Sequence, residues 1–223
     1  MNTLRTPPLA PLLAQLFSDA DVTEAILRQQ IETFSPAERD ALEGHGDYRK
    51  RYARMKDTHL AVSRDTGVLL YMLARSTGAR SIIEFGTSFG ISTLHLAAAL
   101  KDNGGGHLIS TEFEPSKVVR ARENILEANL SDLVEIREGD ALETLARDLP
   151  ETIDLVLLDG AKEIYPRVLS LLEAHLRAGA LIIADNADWS PDYLAKVRSP
   201  TGGYFSVPFA KDVELSMKFG VSG

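Results

Sequence analysis

The sequence predicts an α/β fold, with a doubly wound, mostly parallel seven-stranded sheet behind an N-terminal helical cap. Three observations lead to it. Between residues 81 and 184 short apolar runs alternate with helical stretches, the pattern of a parallel sheet covered on both faces. Before residue 78 the chain reads as helix. After residue 203 two strand-like runs, Tyr204 to Val207 and Val213 to Lys218, flank a short turn containing Pro208, which predicts an antiparallel hairpin at the sheet edge.

In the cap, Ser35-Pro36-Ala37-Glu38 reads as a capping box with proline at the first helical position. Gly44 to Arg51 follows as a polar break. Val68, Leu69, Leu70, Met72 and Leu73 then supply the apolar face of a helix ending near Gly78. Strands are predicted at Ser81 to Phe85, His107 to Thr111, Leu133 to Arg137, Ile153 to Leu158 and Ala180 to Ala184. The helices between them are Ile91 to Leu100, Pro115 to about Asn129, Ala141 to Asp148 and Ile164 to Arg177. Residues 1–78 are expected to cap a core of residues 79–223 within one domain.

Composition narrows the function. Of the 223 residues, 24 are Lys or Arg and 32 Asp or Glu, a net charge of -8 that disfavours nucleic acid and anionic lipid as partners. There is no cysteine, which removes disulfides, thiolate metal sites and cysteine nucleophiles. No apolar run is long enough to span a bilayer, and the N-terminus lacks the features of a signal peptide, so a cytoplasmic location is expected.

The first strand runs into Glu84-Phe85-Gly86-Thr87-Ser88-Phe89-Gly90-Ile91-Ser92-Thr93. Gly86 and Gly90 let the backbone turn tightly and approach a ligand. The next strand ends at Glu112, a carboxylate placed to accept the ribose hydroxyls of an adenosine cofactor. The G-x-x-x-G spacing departs from the G-x-G-x-x-G of dinucleotide sites. It suits a cofactor without phosphate, such as S-adenosyl-L-methionine (SAM). Further on, Asp159 follows the fourth strand, and Asp185 and Asn186 the fifth. They should converge beyond the strands' carboxyl ends, and three oxygen ligands suit a hard cation such as Mg²⁺.

Residues 83–93, together with Asp159-x-x-Lys162, Tyr165-Pro166, Asp185-Asn186 and Trp189, resemble the cation-dependent O-methyltransferases, the group that includes the catechol and caffeoyl-coenzyme A enzymes. The likeness covers roughly residues 60 to 218. It implies a Rossmann-like class I methyltransferase sheet. It also implies that Glu84, Gly86 and Ser92 surround the methionine part of SAM, that Glu112 binds the ribose, and that Asp140 in Gly139-Asp140-Ala141 meets the adenine. Asp140 reads equally as a helix N-cap. By the same likeness Asp159, Asp185 and Asn186 hold the metal. Asp159 also borders the cofactor, and Lys162 is the candidate base beside the acceptor hydroxyl. The N-terminal helices cover the acceptor and build a homodimer contact; Tyr48, Arg49, Arg51, Tyr52 and Arg54 read otherwise as a solvated helix face.

The chain departs from the family in having only Ser190 to Gly203 between the tryptophan and the hairpin, a segment that often shapes the acceptor pocket. The expected reaction is methyl transfer from SAM to an oxygen of a small molecule, on a catechol-like or other vicinal dioxygen acceptor. A tRNA hydroxyuridine methyltransferase of the same fold, a nicotinamide-dependent oxidoreductase and a non-catalytic SAM-binding module are the alternatives. The histidines are scattered and show no metal-ligand spacing.

Overall fold

A computed structural model describes residues 2–35, 47–209 and 212–220. The seven strands are β1 (Ser81–Phe85), β2 (His107–Glu112), β3 (Val134–Glu138), β4 (Ile153–Leu158), β5 (Leu176–Ala184), β6 (Tyr204–Pro208) and β7 (Glu214–Lys218). They form one sheet in the order β3-β2-β1-β4-β5-β7-β6. The first five are parallel, and β7 runs antiparallel to both β5 and β6. The chain thus starts in the middle, winds outward through β2 and β3, and returns to the other side of β1 as β4. The gap between β1 and β4 is the switch point at which open α/β sheets bind ligands.

Among the described residues the helices are α1 (Leu9–Thr33), α2 (Tyr48–Ala53), α3 (Arg64–Ser76), α4 (Ile91–Asp102), α5 (Pro115–Glu127), α6 (Ala141–Thr144), α7 (Tyr165–Leu172) and α8 (Pro191–Val197). Strand side chains alternate between two cores. Ile82, Leu155, Leu157 and Ile183 pack with α3, α4, α5 and the first half of α1. Ile83, Phe85, Val156, Leu158 and Ile182 pack with α7 and α8 on the other face. This period of two is what a strand buried on both faces requires.

The N-terminal half of α1 is held in the first core by Leu9, Leu12, Leu13, Leu16 and Phe17, and Thr3 Oγ1 anchors it to Asp102 at 2.6 Å. Its second half leaves the core and overhangs the carboxyl edge of the sheet, where Leu27 and Ile31 line the cleft described below. His95 is packed, not catalytic: it is buried, edge-on to Phe17, with Nδ1 2.8 Å from Ile91 O.

Several elements differ from expectation. The helix predicted for Ile164 to Arg177 is a 3-10 turn followed by α7, which ends at Leu172, and β5 begins at Leu176, four residues early. A register shift between Ile153 and Leu155 accommodates Arg177 to Gly179, with Gly179 at φ +79°. Pro208 ends β6 instead of sitting in the turn. The unassigned stretch after Trp189 holds α8, whose Tyr193 and Val197 are fully buried. In the polar break, Asp47 caps α2 by accepting from Arg49 N at 3.1 Å. Pro36 to Glu38 of the expected capping box and Gly44 to Gly46 lie outside the described residues.

Candidate active site

All the predicted site residues stand at the carboxyl edge of the sheet, where neighbouring strand ends are stitched together. Gly86 N and Thr87 N donate to Thr111 O at 3.2 and 3.1 Å, and Gly139 N donates to Glu112 O at 2.9 Å. Asp159 N donates to Phe85 O at 2.8 Å, and Asp185 N to Leu158 O at 2.9 Å. The fully buried Tyr165 hydroxyl lies 2.7 Å from Leu158 O and 2.9 Å from Asp185 O, bridging the ends of β4 and β5.

The glycine loop is built for close approach. Gly86 has φ +103°, and a Cβ on it would lie 2.5 Å from the backbone oxygen of Asp159. Only glycine lets the β1 loop lie against the β4 turn. Beneath the loop Glu84 is completely enclosed. Thr93 Oγ1 and Ser110 Oγ each donate to its Oε2 at 2.5 Å, and Thr87 Oγ1 is 2.5 Å from Ser110 Oγ. Oε1 has no hydrogen-bond partner among the described residues. Burial pushes the Glu84 pKa up to about 7, although the surrounding hydroxyls oppose it. Glu84 therefore supports the loop from behind. Ser92, also buried, lines a small recess with Thr87, Phe89 and His59.

A narrow cleft runs along the loop, lined by Gly86, Ser88, Glu112, Lys117, Gly139 and Asp159, with Tyr48 and Tyr52 over it. Glu112 is 8% exposed; its oxygens accept from Ser88 N at 2.8 Å and Glu114 N at 3.0 Å. Asp140 N-caps α6 by accepting from Leu142 N at 2.9 Å. Its other oxygen accepts from Tyr48 Oη at 2.6 Å and pairs with Arg49. Burial works against its charge, but Tyr48, Leu142 N and Arg49 hold its pKa below the ordinary value. Arg51 pairs with Glu163, and Tyr52 Oη donates to Gly160 O at 3.4 Å. Helix α2 is thus a strap fastened on both sides of the narrow cleft, and the expectation of a solvated face fails for Tyr48, Arg51 and Tyr52, while Arg49 reaches Asp140 from an exposed position.

A second, wider cleft of about 800 Å³ opens beside it. Asp159, Lys162, Asp185, Asn186 and Trp189 form one end, and Phe17, Leu27 and Ile31 of α1 with Met55, Leu60 and Val62 form an apolar wall. Tyr52, Leu60 and Asp159 line both clefts, so the two meet at Asp159. Lys162 Nζ is 3.1 Å from Asp159 Oδ1. Burial raises the pKa values of both Asp159 and Asp185, that of Asp185 further through the charge of Asp159. Burial opposes charge on Lys162 as well, but Tyr165, Asp159, Tyr52 and Asp185 outweigh it and hold its pKa well above the ordinary lysine value.

Asn186 sits at φ +47° in the turn after β5, its Nδ2 3.4 Å from Asp212 Oδ2. Asp212, between β6 and β7, escaped the sequence reading, as did Lys117 and His59, which stacks on Phe89 at 3.9 Å between ring centroids. None lies in a local motif; Asp212 and His59 reach the site from elements distant in sequence, and Lys117 from the helix that follows Glu112. Asp188 is exposed and lines neither cleft. Among the described residues no three His, Cys, Asp or Glu side chains are grouped to hold a metal, so a cation here would rest on two carboxylates plus the Asn186 amide oxygen.

The profile of a family described as O-methyltransferase matches residues 36–204. The chain belongs to this family. Among curated members it is 35% identical over 130 residues to a catechol O-methyltransferase of Niastella koreensis, covering 57% of this chain and 58% of that one. It is 32% identical over 173 residues to catechol O-methyltransferase B of Danio rerio, covering 74% of this chain and 64% of that one. The chain thus spans less than two thirds of these relatives' length. A solved O-methyltransferase in complex with SAM, TomG of Streptomyces achromogenes, involved in tomaymycin synthesis, superposes with a TM-score of 0.62 at 27% identity, over 82% of this chain and 95% of that one. Family membership accounts for the seven-stranded sheet. No helix among the described residues is long and apolar enough to cross a membrane.

Proposed function

We propose that the chain transfers a methyl group from SAM to a hydroxyl of a small molecule bearing adjacent oxygens, assisted by a divalent cation such as Mg²⁺. The observation that supports this most is the meeting of two clefts at Asp159, one carrying a ribose-type acid and the other a carboxylate, lysine and amide cluster. Such a junction brings two substrates to one point, and most of the rate advantage of a two-substrate transfer comes from holding them in line. The SAM-bound relative and the catechol O-methyltransferase relatives agree with it.

In this reading Glu112 takes the ribose with Ser88 beside it, Gly86 borders the cofactor's sulfur side, and Asp140 accepts from the adenine amino group while Tyr48 and Arg49 keep holding it. The donor set fits a hard cation: two buried carboxylates side by side repel each other unless a proton or a cation lies between them. Asp159, Asp185 and Asn186 would hold it, and it would supply Lewis-acid polarisation of the acceptor oxygens. Lys162, at Asp159, then faces the acceptor hydroxyl. With Asp159, Asp185 and the Tyr52 and Tyr165 hydroxyls around it, its amine stays protonated. Its service as a base requires that their charge be offset, which couples proton removal to occupancy of the cation position.

The test is methyl transfer from isotope-labelled SAM to a catechol, with and without chelator. Activity is expected to vanish with chelator, return with Mg²⁺, and be absent from Asp159→Ala and Asp185→Ala under either condition. Full turnover in excess chelator, with no metal by elemental analysis, would remove the cation from the reading. Labelled methyl recovered in tRNA but in no small diol would replace the acceptor class.

A further inference from the structure

Lys117 is the buried cation that the proposed reaction leaves unused. It stands in the first turn of α5, two residues after Pro115, and is only 4% exposed. Its side chain turns back over the glycine loop and lines the narrow cleft beside Ser88 and Glu112. The Nζ atom is 3.4 Å from Ser88 Oγ, its one hydrogen bond among the described residues, and 5.5 Å from the centre of the Phe89 ring. Glu112, Glu114, Asp159 and Asp57 act on it electrostatically, yet no carboxylate among the described residues comes within ion-pair distance. Burial is the larger influence and draws its pKa below the ordinary lysine value.

An ammonium group has three N–H donors and no acceptor. Burying it with one long bond is unfavourable unless something completes the set. Structural lysines in such positions close on a carboxylate; this one stops short of Glu112 and faces the cleft instead. The Glu112 oxygens, meanwhile, are acceptors, already oriented by Ser88 N and Glu114 N. A ligand spanning the two must offer a group that donates to Glu112 and accepts from Lys117. A ribose hydroxyl is such a group, since it carries one O–H donor and two lone pairs.

We propose that Lys117 is a cofactor-binding residue that donates to a ribose hydroxyl oxygen of the adenosine cofactor, opposite Glu112. The proposal rests on the reading of the narrow cleft as the SAM site. The lysine and the glutamate act as a donor and acceptor pair around one sugar edge, and Ser88, which touches both, sets their spacing. Charge-assisted donation of this kind contributes on the order of tenfold or more in affinity.

The experiment is calorimetric titration of the full chain with S-adenosylhomocysteine and with its 2′-deoxy and 3′-deoxy analogues. Lys117→Met is expected to weaken S-adenosylhomocysteine by about tenfold or more while binding one of the two deoxy analogues as well as the wild type does. An unchanged affinity for S-adenosylhomocysteine, or the same loss for all three ligands, would overturn the proposal and leave Lys117 a structural lysine. Lys117→Gln keeps a donor without the charge and serves if the methionine variant fails to fold; its loss should be smaller and should vanish on the same analogue. Wild-type protein that binds none of the three ligands would overturn the cofactor site itself, an outcome distinct from a wild type that binds all three with no dependence on Lys117.

Discussion

The amine of Lys162 and the carboxylate of Asp159 lie 3.1 Å apart at the junction of the two clefts, each side chain 11% exposed. A pair this enclosed is not a surface ion pair, and removing one partner leaves the other buried and charged. Lys162→Met should lower the methyl-transfer rate by about 10²-fold or more, the usual weight of a positioned acid or base. Affinity for S-adenosylhomocysteine should remain within a few-fold of the wild type. Stopped assays across pH read the first and calorimetry the second; a wild-type rate at every pH would return Lys162 to a structural role.

Glu112 offers a sharper test of the cofactor side. Its two oxygens accept from Ser88 N and Glu114 N, so truncation also removes two bonds of the turn, and the fold of the mutant is checked beside its affinity. Glu112→Ala should weaken cofactor binding by about tenfold or more, the value of a charge-assisted hydrogen bond lost from an enclosed site. Equal affinities in a mutant with a native circular dichroism spectrum would take Glu112 out of the site.

The strap over the narrow cleft should show itself kinetically. Tyr48 and Arg49 hold Asp140 from one side, while Arg51 and Tyr52 reach Glu163 and Gly160 on the other. Tyr48→Phe removes the 2.6 Å bond to a charged carboxylate, worth about 1.5–3 kcal/mol. The dissociation rate of S-adenosylhomocysteine should rise about tenfold or more, and limited proteolysis should cut near α2 sooner. Rates equal to the wild type in both assays would show that the strap is passive.

Glu84 makes stability depend on pH in an unusual direction. Its pKa rises from the ordinary 4.5 to about 7 on folding, chiefly through burial. Between these values the folded chain keeps a proton that the unfolded chain has released, so this group's contribution falls as pH rises from about 4.5 to about 7 and is level above that. The swing is about 3 kcal/mol. Urea denaturation at pH 5 and pH 8 should therefore show a smaller difference in Glu84→Gln than in the wild type. Identical differences would mean that Glu84 is ionised in the fold.

Much of this architecture was legible in the sequence because apolar runs such as Ile153 to Leu158 are dictated by burial on both faces of a sheet. Asp159, Asp185 and Asn186 were legible for a related reason, since each directly follows such a run. What escaped depends on long-range partners. Arg177 to Gly179 reads as the tail of a helix until the register shift against β4 claims it for β5. Tyr48 and Arg49 look like part of a solvated helix face, because Asp140 stands 92 and 91 residues away. Lys117 looks like any lysine on an amphipathic helix until the glycine loop folds over it. Asp212 lies in a hairpin that carries no motif at all.

The missing Cβ of Gly86 has a consequence for how this chain can diversify. On the proposed reading, the distance between donor and acceptor substrates is set by main chain lying on main chain, Gly86 against the Asp159 carbonyl. Side-chain replacement cannot reset such a ruler, so the span over which the transferred group travels is inherited with the fold. The second half of α1 is under no such restriction. Leu27 and Ile31 stand clear of both cores, along the wall of the wide cleft, and changes there alter what is held without altering how far it is held. New acceptor preferences are therefore open to selection, or to a protein engineer, through a helix that contributes nothing to the measure of the reaction.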